Sequence, residues 1–217
     1  MKRILVIFLI LSSASLAFGR FDFGAKFGMN HSFIRSNEFA DQTYWEANSE
    51  FKGISAETMG AFASIGLETF TIHLEAYYAG EGFSIHSPYS QYIPQPDVEV
   101  YTLNINTFAL LRYYLKHDVF AKPYISTGLN VGFPLDVSVL GADDFDIENF
   151  HFTKIGLCVA VGANFLDVAD LELRYTAGLN DIYSGNNGEI TRSNLISLSL
   201  GVYFLEIFNR PGKHARF

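Results

Sequence analysis

Hydrophobic and polar residues alternate with a period of two along most of the chain after residue 20. From Phe21 to Met29 the odd positions are apolar, whereas the even positions from Asp22 to Asn30 are polar or glycine. Successive side chains of a β-strand point to opposite faces, so this alternation predicts a strand with one apolar face. The pattern recurs in seven further segments, which gives eight predicted strands in all: 61–67, 70–78, 101–114, 124–133, 154–165, 171–178 and 196–204.

The second and third predicted strands show how neighbouring strands join. Leu67 and Phe70 are both apolar and three residues apart, which is the spacing of residues that flank a two-residue hairpin loop. Flanking residues of this kind face each other and share one side of the sheet. The apolar face therefore continues across Glu68 and Thr69, as expected of an antiparallel up-and-down meander.

The charged residues of the predicted strands lie on the face opposite the apolar one. No apolar-face position carries a charge. A soluble lipocalin-like barrel or sandwich, which is the alternative, would have charges outside and an apolar interior. The reverse arrangement fits a lipid-facing exterior, because a basic side chain there costs about 2–4 kcal/mol at the bilayer midplane. The residues on the polar face are Asp22, Lys26, Glu68, Glu75, Arg112, Lys154, Glu172 and Arg174.

The connections between the predicted strands alternate between long and short. Short turns on one rim and long loops on the other are typical of outer-membrane barrels, whose spanning strands need about 9–11 residues. We therefore predict an all-β fold, an eight-stranded antiparallel up-and-down transmembrane β-barrel with short periplasmic turns and long extracellular loops. The long connections are 34–59, 84–100, 134–151 and 183–193, and the short ones are 68–69, 116–119 and 167–170.

The first nineteen residues have the order of regions found in a secretory signal peptide. A basic start, Met1 to Arg3, precedes the apolar run from Ile4 to Leu11, and Ala17-Phe18-Gly19 has the small-x-small pattern of a cleavage site. The apolar run is too short for a membrane-spanning helix, which needs about 20 residues. We predict a signal peptide at 1–19, an outer-membrane β-barrel at 20–208 and a short basic periplasmic tail at 209–217.

Composition and charge exclude several classes of protein and partner. Residues are 49% hydrophobic, 16% aromatic and 18% charged, which excludes generic disorder. The single cysteine, Cys158, excludes a disulfide scaffold. The net charge of -8 argues against nucleic acid, which requires a basic surface. The expected partners are outer-membrane lipid and a protein bound through the predicted loops 34–59, 84–100 and 134–151.

Four segments resemble the PorT-like outer-membrane β-barrel family: Phe23–Asn30, Leu74–Tyr78, Ala121–Ile125 and Leu173–Ile182. The resemblance implies the barrel fold and an outer-membrane location in a Gram-negative bacterium of the Bacteroidetes type. The founding member of the family is linked to protein secretion and gliding machinery. One feature departs from the usual barrel pattern, in which the last strand ends the chain. Here thirteen residues follow Phe204, so Phe204 or Phe208 is expected to serve as the final aromatic residue.

Five charged residues of the polar face are the candidate site. Lys26, Glu75, Arg112, Glu172 and Arg174 belong to four strands of one predicted lumen, with Glu172 and Arg174 together on the seventh. One interpretation is a gate or polar pathway, and the other is an ion-pair network that satisfies a packed interior, because an unpaired buried charge is costly. We expect the network, with Glu75 paired to Arg112 on the neighbouring strand.

The sequence offers little for catalysis. His73 beside Glu75 would form an acid–base pair, but both face inward, whereas lipid modification requires an outward site. His31 faces outward beside Ser32, with no acid following on that face. The acidic segment 143–148 lacks the glycine and the length of a calcium loop. We therefore expect no enzymatic activity, no metal and no cofactor.

Four functions remain open after these exclusions. The leading one is an integral outer-membrane barrel with a structural or interaction role through its extracellular loops. The alternatives are a narrow solute or ion channel, which an eight-stranded barrel disfavours because side chains fill its interior, and a secretion-associated component. A lipid-modifying enzyme is the least favoured.

Overall fold

The computed structural model describes residues 21–36, 50–67, 70–86, 98–115, 120–141, 153–181, 183–184 and 190–205. The predicted signal peptide (1–19), the predicted tail (209–217), the acidic segment 143–148, Glu68 and Phe208 lie outside these residues. No helix in the described part of the chain is long and apolar enough to cross a membrane. The strands are β1 (Phe21–Ser36), β2 (Glu50–Leu67), β3 (Phe70–His86), β4 (Val98–Tyr114), β5 (Ala121–Leu140), β6 (Lys154–Phe165), β7 (Ala169–Gly178), β8 (Tyr183–Ser184) and β9 (Ile190–Tyr203).

The strands form one closed antiparallel sheet. Each of β1 to β7 pairs with the next in sequence, β7 pairs with β9, and β9 pairs with β1. The eight strands β1 to β7 and β9 are therefore a barrel, which confirms the predicted fold. The additional strand β8 has two residues, which pair with Thr191 and Ile190 of β9. The hairpin between β2 and β3 has Leu67 opposite Phe70, as the sequence predicts.

The two rims of the barrel differ in their connections. We call the end where β2 joins β3, β4 joins β5 and β6 joins β7 the turn rim, and the opposite end the loop rim. At the turn rim, Leu166 and Asp167 have positive φ angles of 51° and 60°. The Asp167 carboxylate lies 2.7 Å from Lys122 Nζ, so an ion pair holds this turn. The turn spans 166–168, whereas the sequence predicted 167–170.

The strands extend further toward the loop rim than the sequence predicted. β2 begins at Glu50 and β5 continues to Leu140, and β3 and β4 also extend into the predicted loops. The predicted loops 34–59, 84–100 and 134–151 were therefore too long. Two physical causes explain why the sequence pattern does not reveal these extensions. Past the apolar band the outer face no longer needs apolar residues, and a register shift between Gly53 and Thr58 interrupts the alternation of β2.

The barrel has an apolar exterior and a polar interior, the reverse of a soluble protein. On the outside, Phe27 is 50% exposed and Val159 is 54% exposed. Inside, Arg112 and Glu172 are fully buried. Glycines on the inner face allow the tight curvature of a narrow barrel. A Cβ atom on Gly128, for example, would collide with the carbonyl oxygen of Ala109 on the neighbouring strand.

Candidate functional site

Arg112 on β4 forms the part of the luminal charge network nearest the turn rim. Its Nη2 lies 3.2 Å from Asp170 Oδ2 and 3.0 Å from Glu172 Oε2 on β7. Its Nη1 donates a 2.9 Å hydrogen bond to the Tyr203 hydroxyl on β9. The guanidinium carbon lies 3.8 Å from the ring centre of Tyr124. Arg112 therefore connects three strands across the lumen and also stacks on an aromatic ring.

The centre of the lumen holds a second group of ion pairs. Lys26 Nζ on β1 lies 2.9 Å from Glu75 Oε1 on β3 and 2.9 Å from Glu172 Oε1 on β7. Arg174 Nη2 lies 2.6 Å from Glu75 Oε2 and also pairs with Glu172. The Tyr77 hydroxyl donates to Glu75 Oε2 at 2.5 Å. The structure thus brings together all five residues of the predicted network.

The charges of this network balance. Three cations, Lys26, Arg112 and Arg174, meet three carboxylates, Glu75, Asp170 and Glu172, and these six side chains are at most 3% exposed. Burying an ion is expensive unless opposite charges and hydrogen bonds surround it. The arrangement meets that condition and fills the middle of the barrel. We call the six residues the charge plug.

The pairing within the charge plug differs from the expected one. The sequence placed Glu75 against Arg112, but Glu75 instead pairs with Lys26 and Arg174. The register explains this difference, because Glu75 lies opposite Phe108 of β4. Arg112 is four residues nearer the turn rim, at the level of Asp170. The stagger between the strands of the closed barrel therefore determines which carboxylate pairs with which cation.

Two acidic residues important to the lumen were missed by sequence reasoning. Asp170 was assigned to a turn, and Glu81 fell between two glycines beyond the predicted third strand. Glu81 pairs with Lys154 and accepts a 2.5 Å hydrogen bond from Asn106 Nδ2 nearer the loop rim. Both could have been found by continuing the two-residue alternation past the predicted strand ends. Asp170 is an even number of residues from Glu172, and Glu81 is an even number from Glu75, so each pair points to the same side of the sheet.

The two histidines considered for catalysis occupy different environments. His73 is fully buried and stacks on Phe62 with ring centres 4.8 Å apart. Its Nε2 is 3.0 Å from Glu75 Oε1 without the alignment of a hydrogen bond. Enclosed in the lumen, His73 cannot reach a membrane lipid. In the described residues, no group of three His, Cys, Asp or Glu side chains is placed to hold a metal ion.

His31 faces outward, as predicted, but its partner is not Ser32. The Ser32 side chain is buried and bonds to Gly82, whereas His31 Nδ1 lies 3.0 Å from the Ser55 hydroxyl. An acid also lies on this face, because Glu57 is exposed two residues beyond Ser55 on β2. The sequence expectation that no acid follows His31 on its face concerned the first strand alone, and pairing with β2 adds Glu57 to the same outer face.

A comparison with known families decides the classification. The family described as outer membrane protein beta-barrel domain matches residues 12–184. The chain belongs to this family. It is accordingly an outer-membrane β-barrel, with its apolar exterior against lipid. A comparison with curated proteins finds no match.

Several solved structures are similar to this chain. The outer membrane protein OprG from Pseudomonas aeruginosa is 15% identical, with a TM-score of 0.50 over 86% of this chain and 96% of that one. Neisserial surface protein A is 18% identical, with a TM-score of 0.47 over 84% and 97%. Ail of Yersinia pestis, solved with the heparin analogue sucrose octasulfate, is 9% identical, with a TM-score of 0.43 over 86% and 100%. At these identities the likeness to OprG shows the fold alone.

Proposed function

We propose that this outer-membrane barrel has a structural or interaction role exercised at its extracellular surface, and that its lumen does not conduct ions. The charge plug is the observation that carries the proposal. Lys26 and Arg112 extend from β1 and β4 to carboxylates of β7, so their ion pairs cross the lumen and do not line an open path. A solute would have to break several buried ion pairs in order to pass, and breaking one such pair costs about 3–5 kcal/mol.

The orientation of the barrel supports an extracellular role. Short turns belong on the periplasmic side of outer-membrane barrels, and longer connections belong outside. The turn rim has this character, so we place it in the periplasm. The longer connections then face outward, where the extended ends of β2 to β5 raise part of the wall beyond β6 and β7. This surface is where we place contact with a partner.

Planar-bilayer recording tests the closed lumen. The wild-type barrel should give no stable conductance steps. A variant with Lys26→Ser and Glu75→Ser removes one cation and one carboxylate of the charge plug, and it should conduct small ions. Leu129→Ala on the exposed outer face is the control and should remain silent. Stable wild-type steps that are lost on blocking the lumen would overturn the proposal in favour of a narrow channel.

One observation favours that channel as the second candidate. Several buried polar atoms in the lumen have no hydrogen-bond partner among the described residues, including Asn104 Oδ1, Ser126 Oγ and Thr176 Oγ1. Buried polar atoms normally find a partner in protein or water. Water inside the barrel would satisfy them, and a continuous file of water would form a narrow path. The recording described above separates the two functions.

A secretion-associated role rests on the PorT-like resemblance of Leu173–Ile182. In this segment Arg174 belongs to the charge plug, and Asn180 joins the start of β6 by accepting from Ile155 N at 2.6 Å and donating to Thr153 O at 2.7 Å. These roles are structural and explain the segment without a secretion partner. We therefore keep this role as an alternative, to be tested by crosslinking in intact outer membranes and identification of the captured proteins.

A further inference from the structure

A small cavity lies in the lumen next to the charge plug, on the side of the loop rim. Lys26 and Arg174 form one part of its lining, and Asn30, Ala79 and Leu195, which lie nearer the loop rim on β1, β3 and β9, form another. Its volume of about 10 Å³ is the space of one water molecule or one monatomic ion. No Asp or Glu is among the described residues that line it. We call it the plug cavity.

Both cations of the plug cavity have N–H donors that their carboxylate partners do not use. Arg174 is 3% exposed, and its Nε has no hydrogen-bond partner in the described part of the chain. A lysine ammonium has three N–H donors, and Lys26 directs two of them at Glu75 and Glu172. Buried donors normally have a partner in protein or water. At least one further acceptor is therefore needed beside the charge plug.

Neutral hydrogen-bond donors continue the lining of the plug cavity onto β9 and β1. Arg174 lies opposite Ser197 in the ladder, and Ser197 lies opposite Asn30. Ser199 is on the same face of β9, two residues nearer the turn rim. All four residues line the plug cavity and are at most 9% exposed. Hydroxyl and amide groups can donate to a bound group without adding negative charge, so this part of the wall favours an acceptor.

The charges of the charge plug balance, but they are not evenly placed around the plug cavity. Glu172 lies two residues nearer the turn rim than Arg174 on β7, and Glu75 lies two residues nearer the turn rim than Tyr77 on β3. Arg174 and Tyr77 line the plug cavity, whereas the two carboxylates do not. The plug cavity therefore borders the cationic side of the charge plug. Electrostatic attraction is strong in such a buried place because the dielectric constant is low.

We infer that the plug cavity binds one monatomic anion of halide size. Arg174 Nε, Lys26 Nζ and the hydroxyls of Ser197 and Ser199 supply the hydrogen bonds, and the two cations supply the attraction. The volume is too small for phosphate, sulfate or a carboxylate. The rest of the lining is mainly apolar, so the ion must lose most of its water. We therefore expect bromide and chloride to bind better than fluoride, which is strongly hydrated.

The anion site goes beyond the proposed function, because it lies in the lumen and not at the extracellular surface. A bound halide would connect Lys26 and Arg174 to β9, and the stability of the barrel would then depend on halide. A conducting lumen would overturn the proposed function, whereas the anion site is tested by the stability of the barrel and by the position of the ion. The two proposals can therefore fail separately.

Urea unfolding of the barrel in phosphatidylcholine vesicles tests the anion site. Sodium bromide or sodium chloride replaces sodium fluoride at constant ionic strength. Both should raise the urea midpoint until the site is saturated, since an ion that binds only the folded barrel stabilises it. Nonspecific salt effects have the opposite order, because ions excluded from protein surfaces stabilise folding most. Equal midpoints in the three salts, or the highest midpoint in fluoride, would overturn the inference.

Serine substitutions test where the halide acts. Ser197→Ala and Ser199→Ala remove donors without changing the charge, so the barrel should keep the heat-dependent gel shift of a folded protein. The halide-dependent rise of the urea midpoint should fall severalfold in both. Ser126→Ala is the matched control and should keep the full rise, since Ser126 is buried in the lumen but does not line the plug cavity. A rise that persists in Ser197→Ala and Ser199→Ala, or that falls equally in all three variants, would overturn the site.

Crystals grown in sodium bromide show the position of the ion directly. An anomalous peak within hydrogen-bond distance of Arg174 Nε and Ser197 Oγ would confirm the site. Bromide bound only on the outer surface of the barrel, with a water molecule in the plug cavity, would overturn the inference and assign the cavity to water.

Discussion

The Nη1 atom of Arg112 donates a hydrogen bond of 2.9 Å to the Tyr203 hydroxyl, joining β4 to the last residue of β9 across the lumen. β9 also closes the barrel against β1, which carries Lys26. The charge plug is therefore complete only when the first and last strands have met. Its contribution to stability should appear in the closed barrel and not in partly assembled strands.

Tyr203→Phe should weaken the barrel through this contact. The substitution removes one hydrogen bond to a buried cation, and bonds to charged groups contribute about 1.5–3 kcal/mol. Urea unfolding of the barrel in lipid vesicles measures the loss. Tyr175→Phe is the matched control, because the Tyr175 ring faces lipid and is 44% exposed. Equal losses in both variants would contradict a specific role for the Arg112 contact.

Glu75→Gln should destabilise the barrel by roughly 3–5 kcal/mol, because it leaves Lys26 and Arg174 short of a buried counter-charge. Adding Arg174→Met should recover part of the loss. Adding Arg112→Leu should recover none, because Arg112 pairs with Asp170 and Glu172 instead. The stability of each variant is measured as the temperature at which heating shifts its mobility on a gel.

Stability that is unaffected by Glu75→Gln, together with loss of a cellular phenotype, would reverse this interpretation. The lumen would then be a working site and not a stabilising network. If Arg112→Leu recovered stability and Arg174→Met did not, the partner of Glu75 in the barrel would be Arg112 on the neighbouring strand. It would then not be Arg174, as it is in the structure.

Leu166→Gly should stabilise the turn between β6 and β7. A left-handed backbone conformation costs a residue with a side chain about 1–2 kcal/mol, and glycine avoids that cost. Leu166 has such a φ angle and is 37% exposed, so little packing is lost. Equilibrium unfolding should show a gain of the order of 1 kcal/mol. The same substitution at Leu171, which lies within β7, should destabilise the barrel.

Cysteine labelling in whole cells tests the orientation. In a Cys158→Ala background, cysteines at Ser90 and Asp144 should react with a membrane-impermeant maleimide, whereas one at Thr69 should not. An even number of barrel strands returns the chain to its starting side, so both termini should be periplasmic. Labelling of Thr69 alone would place the turn rim outside the cell.

The luminal residues show how much of the barrel interior can be predicted from the two-residue alternation of the sequence. Glu75, Glu172 and Arg174 share the parity opposite to the apolar residues of their own strands, which is enough to place them inside a barrel. The same rule extended by a few residues would have included Asp170 and Glu81. It failed there because glycines and a turn were taken as the ends of strands, and pattern alone does not mark where a strand ends.

Alternation along each strand determined the fold class, the apolar exterior and which charges face the lumen, because side-chain direction in a strand is a local property of the backbone. Tertiary structure decided what those charges touch. Arg112 meets Asp170 and not Glu75, since closing eight strands imposes a stagger that no single strand encodes. His31 meets Ser55, 24 residues away, for the same reason. Which residues face each other depends on register, and register is fixed only when the whole barrel closes.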